Sequence, residues 1–227
     1  MCNESMDALI ETKDFYKAYK KMHWDRIQSF SGFGVLGEAE ELKDVVELYE
    51  AQTILDYGAG KGWQYKPRGF RMDLVKDPAA RINPNILENT HVNRLFGIDD
   101  DKIDWYDPGL KFLDPHSRLK NKKYDGVICI DVMEHVPLQE IDNVLFNMFT
   151  RSEMFIYLTV ASMPARKKFS DGTNVHVTVK DPQWWRKRCT DMIKWTQYEG
   201  VVHMKCIELK EDGLYGIQRM KFGIPKG

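Results

Sequence analysis

The amino-acid sequence predicts an α/β fold in which helices cover both faces of a doubly wound, mostly parallel sheet. Residues 53–57 form a short apolar run that leads into glycines at positions 58, 60 and 62, typical of a strand ending at a ligand-binding turn. Residues 127–130 form a second apolar run, as expected for a central parallel strand. Residues 201–209 and 214–222 flank a turn at 211–213 and predict a final antiparallel hairpin.

The chain has the size and composition of one α/β domain. Its 227 residues are 43% hydrophobic, and its net charge of −1 creates no global field that would attract nucleic acid or a membrane surface. No apolar run is long enough to span a bilayer, and the N-terminus lacks the features of a signal peptide. The four cysteines include no C-x-x-C pair, which argues against a zinc knuckle and favours reduced thiols. We therefore expect a cytoplasmic protein that does not contact a membrane.

Residues 1–50 predict an N-terminal helical cap. Apolar residues recur at helical spacing over about 7–22, and again over about 38–49, where Leu42, Val45 and Val46 share one face. Residues 51–227 then form the main domain, with an insertion at about 66–101 where repeated prolines break every regular pattern. We expect this insertion to shape the substrate side of the cleft, and the cap to contribute Tyr19 to it.

The first candidate site is the glycine turn after the first strand. Glycine lacks Cβ, so the backbone can turn sharply there and approach a ligand closely. The second predicted strand, 103–106, leads to Asp107, and a carboxylate at this place accepts hydrogen bonds from ribose hydroxyls in related sheets. Asp73 is the alternative, because its distance from the glycine turn is closer to the usual spacing although a weaker strand precedes it. We favour Asp107.

Two segments resemble class I S-adenosylmethionine (SAM) methyltransferases. Asp56 and the three glycines match the D-x-G-x-G-x-G pattern of motif I in that family, and Asp-Val-Met-Glu-His-Val at 131–136 closely resembles the DVLEHV segment that follows strand four. An N-x-H-x-T segment at 174–178 and a P-x-W-W segment at 182–185 resemble a viral and phage-encoded subset of these enzymes. The resemblance covers about 38–222, and the insertion is its main departure.

This resemblance implies a fold, a cofactor and a binding site. The fold is a seven-stranded sheet in the order 3-2-1-4-5-7-6, with an antiparallel last strand inserted between strands five and six. The cofactor is SAM, with S-adenosylhomocysteine (SAH) as its product. The residues expected to bind it are Asp56, Tyr57, Gly58, Ala59, Gly60, Gly62, Asp107, Asp131, Val132 and Glu134.

In methyl transfer the cofactor supplies the electrophile, so the protein mainly positions the two reactants and manages one proton. A hydroxyl or amine acceptor must lose a proton, and histidine titrates in a suitable range. His135 and His176 are therefore the candidate catalytic residues, one after strand four and the other after strand five. No metal is required for such a reaction, and the sequence shows no ligand cluster that demands one. We interpret the acidic run at 99–101 as a solvated turn.

The sequence does not name the methyl acceptor, which can be a small molecule or a polymer, nor the oligomeric state. The N-P-P-Y tetrapeptide and the Pro-Cys pair of DNA base methyltransferases are absent, so nucleic acid is not favoured, although basic residues indicate an anionic acceptor. The alternative function is binding of nucleic acid or a phosphate polymer with little or no catalysis, Trp184 and Trp185 stacking on bases. The basic residues in question are Arg166, Lys167, Lys168, Arg186, Lys187 and Arg188. A third hypothesis, an NAD-dependent dehydrogenase, is disfavoured by the glycine spacing.

Overall fold

One six-stranded sheet forms the centre of the structure. The computed structural model describes residues 17, 19–21, 34–65, 96–108, 119 and 122–223. The strands are β1 (Ile54–Tyr57), β2 (Ile103–Tyr106), β3 (Tyr124–Ile130), β4 (Ser152–Ala161), β5 (Val201–Leu209) and β6 (Tyr215–Gly223). Their order across the sheet is β2-β1-β3-β4-β5-β6, and all neighbours are parallel except the antiparallel pair β5 and β6. The predicted mostly parallel α/β fold is confirmed.

Helices cover both faces of this sheet. They are α1 (Gly34–Gly37), α2 (Ala39–Leu48), α3 (Ile141–Phe149) and α4 (Pro182–Thr196), and short 3-10 turns occur at Trp63–Tyr65, Asp100–Lys102, Met133–His135 and Leu138–Glu140. Leu42 of α2 packs in one core cluster with Ile54, whereas Leu145 of α3 and Trp185 of α4 pack in a second cluster with Leu55. Neighbouring residues of β1 thus point into opposite layers, which is why all four of them are buried. None of the helices in the described ranges is long and apolar enough to cross a membrane.

Local sequence explains where α4 begins and ends. The side chain of Asp181 accepts a hydrogen bond from the Trp184 N–H at 2.9 Å, and Pro182 occupies the first helical position, where it needs no donor. The helix ends at Thr196, and the next residue, Gln197, adopts a left-handed conformation with φ of 54°. The chain then reaches β5 after only a few residues, and β5 pairs in parallel with β4.

The position of the last strand differs from the prediction. The family resemblance implied that it would lie between two parallel strands, but β5 occupies that place and pairs with β4 along its length. β6 instead pairs only with β5 and forms the edge of the described sheet. A tight turn at residues 210–214 joins the two strands, so β6 folds back on the outer side of β5.

Several predicted elements lie outside the described residues. These are most of the N-terminal helix over 7–22, most of the insertion at 66–101, and Asp73; the described sheet has six strands and not the seven that the resemblance implied. Within the predicted cap, α2 forms part of the layer that covers one face of the sheet, with Val45 and Val46 buried against it.

Candidate functional site

The candidate site lies where the strand order changes direction. β2 is the neighbour of β1 on one side and β3 on the other, so the loops after β1 and β3 diverge into a crevice at the carboxyl edge, where open α/β sheets bind ligands. The N–H groups of Gly58 and Ala59 donate to the Tyr106 carbonyl at 2.8 and 2.9 Å, which binds the glycine turn to the end of β2. The glycine turn also meets the predicted acidic turn after β3, because Gly58 lies against the side chain of Val132.

The glycine turn requires glycine for reasons of its own conformation and packing. Gly58, Gly60 and Gly62 have φ of 88°, 58° and 60°, a region that residues with a side chain rarely adopt. A Cβ added at position 58 would lie 2.4 Å from the side chain of Val132, and one added at position 62 would lie 2.6 Å from the ring of Trp105. Gly58 and Gly62 are thus explained by close packing, without any ligand.

Asp107 lies directly beside this turn. Its Oδ2 accepts a hydrogen bond from the Gly60 N–H at 3.0 Å and a longer one from the Tyr19 hydroxyl at 3.4 Å. The residue is fully buried, with Tyr19 from the predicted cap forming part of its cover. The carboxylate therefore holds the glycine turn in place, and a ribose would reach it only after Tyr19 moved aside.

Asp56 points to the opposite side of β1, into the layer that contains α1 and α2. Its buried carboxylate accepts hydrogen bonds from Gln64 Nε2 at 2.9 Å and from the Tyr65 hydroxyl at 2.7 Å. Gln64 in turn accepts from the Val35 N–H at 3.1 Å, so the network joins the glycine turn to α1. Burial, with a smaller contribution from the charge of Asp107, raises the pKa of Asp56 to about 7. Asp56 therefore has a structural role in this network.

We expect Asp56 to make stability decrease as the pH rises. Its pKa is about 7 in the folded state against an ordinary 3.8, so the folded state binds more protons than the unfolded state between those values. The contribution is fully present below about pH 4 and is lost as the pH rises through 7. Urea unfolding of the wild type and of Asp56→Asn between pH 4.5 and 8 measures the effect. The difference in the free energy of unfolding between the two proteins isolates the effect of Asp56. As the pH rises, the wild type should lose stability relative to the variant. Parallel curves of stability against pH would refute the raised pKa of Asp56.

A small apolar cavity adjoins the glycine turn on the face of Tyr57. Its volume is about 70 Å³, and the rings of Tyr57 and Tyr106 meet edge to face in its wall, with centroids 4.9 Å apart. The described residues that line it are Tyr19, Tyr57, Tyr106, Pro108, Val132, His135, Val136 and Val144. The cavity thus connects the cap, the ends of β1 and β2, and the segment after β3.

Asp131 stands at the end of β3 in an unusual backbone conformation. Its φ is 53°, and its N–H donates to Thr159 Oγ1 at 2.9 Å while the same hydroxyl donates to Asp131 Oδ1 at 2.8 Å. The carboxylate is exposed at the carboxyl edge of the sheet, and the next residue, Val132, packs against Gly58. Thr159 of β4 therefore holds an acidic side chain at the mouth of the crevice.

Glu134, His135 and His176 converge behind Asp131. One potential ligand atom from each lies within 4.8 Å of those of the other two, and the two imidazoles meet edge to face with centroids 4.8 Å apart. Burial raises the pKa of Glu134 well above its usual range, with the charge of Asp131 adding to the effect. Burial lowers the pKa of His135 to about 4 and lowers that of His176 as well, so both rings are neutral near pH 7.

The sequence placed these histidines on neighbouring loops but did not reveal that Glu134 joins them. The partners of Asp56, Gln64 and Tyr65, were missed too; their only signal is their position directly after the glycine turn. Comparison with protein-family models, with curated proteins and with solved structures gave no match to this chain.

Proposed function

We propose that this protein is a SAM-dependent methyltransferase of the class I type, acting on an acceptor that its residues do not identify. The observation that carries the proposal is the meeting of three loops at the change of strand order. There the turn at residues 58–62 adopts positive φ at each glycine, Asp107 accepts from Gly60, and Val132 packs on Gly58. Such a turn, with an acid at the end of the next strand, suits a ligand that has a ribose.

In this proposal the glycine turn supports the methionyl part of the cofactor, and Asp107 accepts hydrogen bonds from the ribose hydroxyls. Asp131, Val132 and Glu134 border the same crevice from the end of β3. The present cavity of about 70 Å³ is well below the ~300–1,000 Å³ of typical small-molecule sites. The Tyr19 hydroxyl contacts Asp107, so we expect Tyr19 to move aside when the cofactor binds.

Bound SAM would supply an electrophilic methyl group, and the chain's own task would be to position the acceptor in line with it. The acceptor would lie above the carboxyl ends of β3 and β4, where His135 and His176 face each other. Both histidines remain the candidate catalytic residues. Exposed Arg166, Lys167 and Lys168 follow β4 and favour an anionic acceptor by increasing its rate of encounter.

Calorimetric titration with SAH, NAD and a short oligonucleotide tests the function directly. We expect SAH to bind and NAD not to bind. Asp107→Asn should weaken SAH binding by about 10- to 150-fold, the usual range for a hydrogen bond to a charged group. Asparagine retains an oxygen that can accept the hydrogen bond from the Gly60 N–H, so the loss of SAH affinity measures the effect of the Asp107 charge. Asp73→Asn is the matched control. If this variant loses SAH affinity and Asp107→Asn does not, the ribose contact belongs to Asp73. If the wild type does not bind SAH, the assignment of SAM as the cofactor is refuted.

The alternative, a nucleic-acid or phosphate-polymer binder, has less support from the geometry. Trp185 is fully buried in the core, so its ring is not available for stacking. The half-buried ring of Trp184 is 5.2 Å from the guanidinium of Arg188, which also forms an ion pair with Asp142 at 3.1 Å. Lys187 pairs with Asp191. In the same titration, oligonucleotide binding that weakens steeply with salt, without SAH binding, would favour this alternative.

A further inference from the structure

We propose that Glu134, His135 and His176 form a binding site for a divalent first-row transition-metal ion. Two imidazoles and one carboxylate are donors that such ions accept, and they leave open positions for water or a substrate. The three potential ligand atoms lie within 4.8 Å of one another. A tetrahedral ion with ligands at about 2.1 Å needs its ligand atoms to lie about 3.4 Å from one another. Side-chain movements of about 1.4 Å would therefore bring the three atoms to that distance.

The hydrogen bonds behind the two imidazoles favour metal binding. Nδ1 of His135 lies 2.8 Å from the Val175 carbonyl, and Nδ1 of His176 lies 2.6 Å from the Met163 carbonyl. A carbonyl oxygen can only accept, so Nδ1 carries the proton on both rings and Nε2 carries the lone pair. Metal-binding histidines are oriented in the same way, by a second ring nitrogen that donates to a backbone carbonyl or a carboxylate.

Glu134 supplies an independent observation that points to a cation. Its side chain is fully buried, and Oε1 accepts a hydrogen bond from the Ala161 N–H at 3.0 Å. Oε2 is also buried but has no hydrogen-bond partner among the described residues. A buried carboxylate oxygen without a partner is costly, and native structures rarely contain one without a ligand, ion or water. An ion between Glu134 and the two imidazoles would satisfy this oxygen.

The site opens toward the crevice. His135 lines the small cavity beside Tyr57, and the exposed carboxylate of Asp131 acts electrostatically on both Glu134 and His176. The carboxylate of Asp131 brings negative charge that complements a divalent cation, and Glu134 would bind the ion in its ionised form. A bound ion would therefore meet an acceptor placed above the ends of β3 and β4, where it would polarise an acceptor oxygen. Metal binding itself does not depend on the chain being a methyltransferase.

Titration of metal-free protein with CoCl₂ tests the site. The protein is prepared without a histidine tag, treated with a chelator and dialysed, and the visible absorption of Co²⁺ reports binding and coordination. We expect one ion per chain, competition by ZnCl₂, and a higher melting temperature in the presence of either ion. His176→Ala and Glu134→Gln should each weaken Co²⁺ binding by at least about 100-fold. MgCl₂ should have no comparable effect, because imidazole ligands suit transition metals better.

His203→Gln is the matched control, because His203 lies outside the cluster and contacts Tyr49. It should bind Co²⁺ as the wild type does. Circular dichroism and thermal unfolding without metal establish whether each variant is folded. If Glu134→Gln does not fold, His176→Ala alone decides the test. Absence of stoichiometric Co²⁺ or Zn²⁺ binding by the wild type would overturn the proposal, as would full binding by His176→Ala or binding of Mg²⁺ alone. SAH titration without metal gives a separate answer on the cofactor, so either proposal can fail alone.

Discussion

Replacement of Gly60 by valine is expected to abolish SAH binding while most of the protein remains folded. Gly60 has φ of 58°, and a β-branched residue is a pronounced outlier in this region. The Gly60 N–H donates to Asp107, which the proposed function places on the ribose, so a shift of the backbone would displace both the turn and the acid. A branched side chain would also occupy the path of the ligand. Calorimetry with SAH measures the loss.

Gly172→Val is the matched control for this variant. Gly172 also has a positive φ, 88°, but a Cβ there would meet nothing within 4 Å, and its loop follows β4 at a distance in sequence from the glycine turn. Gly172→Val should therefore bear similar backbone strain yet bind SAH as the wild type does. If both variants are folded and Gly60→Val binds SAH as tightly as the wild type does, the proposal that the cofactor binds at the glycine turn is refuted.

The fold was largely predictable because most strands are buried on both faces or nearly so. The ends of β3 and β4 read as nearly continuous apolar runs, and the short β2 was predicted at the residues it occupies. The predicted position of β6 in the sheet was wrong, because that prediction was taken from the family resemblance. The chain itself contains the signal: Arg219 and Lys221 alternate with apolar residues in β6, typical of an edge strand that is solvated on one face.

The candidate site was predictable in part. The sequence indicated which turns carry the polar groups, and those turns do meet at the carboxyl edge of the sheet. It attributed the glycines to a ligand, whereas Gly58 and Gly62 are also required by packing against Val132 and Trp105. The grouping of Glu134 with His135 and His176 depends on how the loop after β4 folds back, through bonds such as Thr178 N–H to the Glu134 carbonyl at 3.0 Å. No local pattern encodes such a tertiary contact.

The second large effect concerns a buried ion pair between the sheet and the start of α2. Nζ of Lys205 lies 2.5 Å from Glu38 Oε2 and 3.5 Å from Glu41 Oε2, and the side chains of Lys205 and Glu38 are each only 10% exposed. The Tyr157 hydroxyl also donates to Glu38, at 3.1 Å. Lys205→Ala should lower the free energy of unfolding by about 3–5 kcal/mol, because it leaves the Glu38 carboxylate buried without its cation. Urea unfolding measures the change.

Arg219→Ala provides the comparison within the same cluster. Arg219 pairs with Glu41 through two hydrogen bonds of 3.1 and 3.2 Å, but its side chain is 57% exposed, so its removal should cost no more than about 1 kcal/mol. The double variant Lys205→Met with Glu38→Gln separates charge from packing, because it removes both charges and keeps similar volumes. It should recover much of the stability that Lys205→Met loses alone, since an uncompensated carboxylate and not the lost pair causes the loss. Equal losses in Lys205→Ala and Arg219→Ala, or no recovery in the double variant, would show that the buried charge does not control this contact.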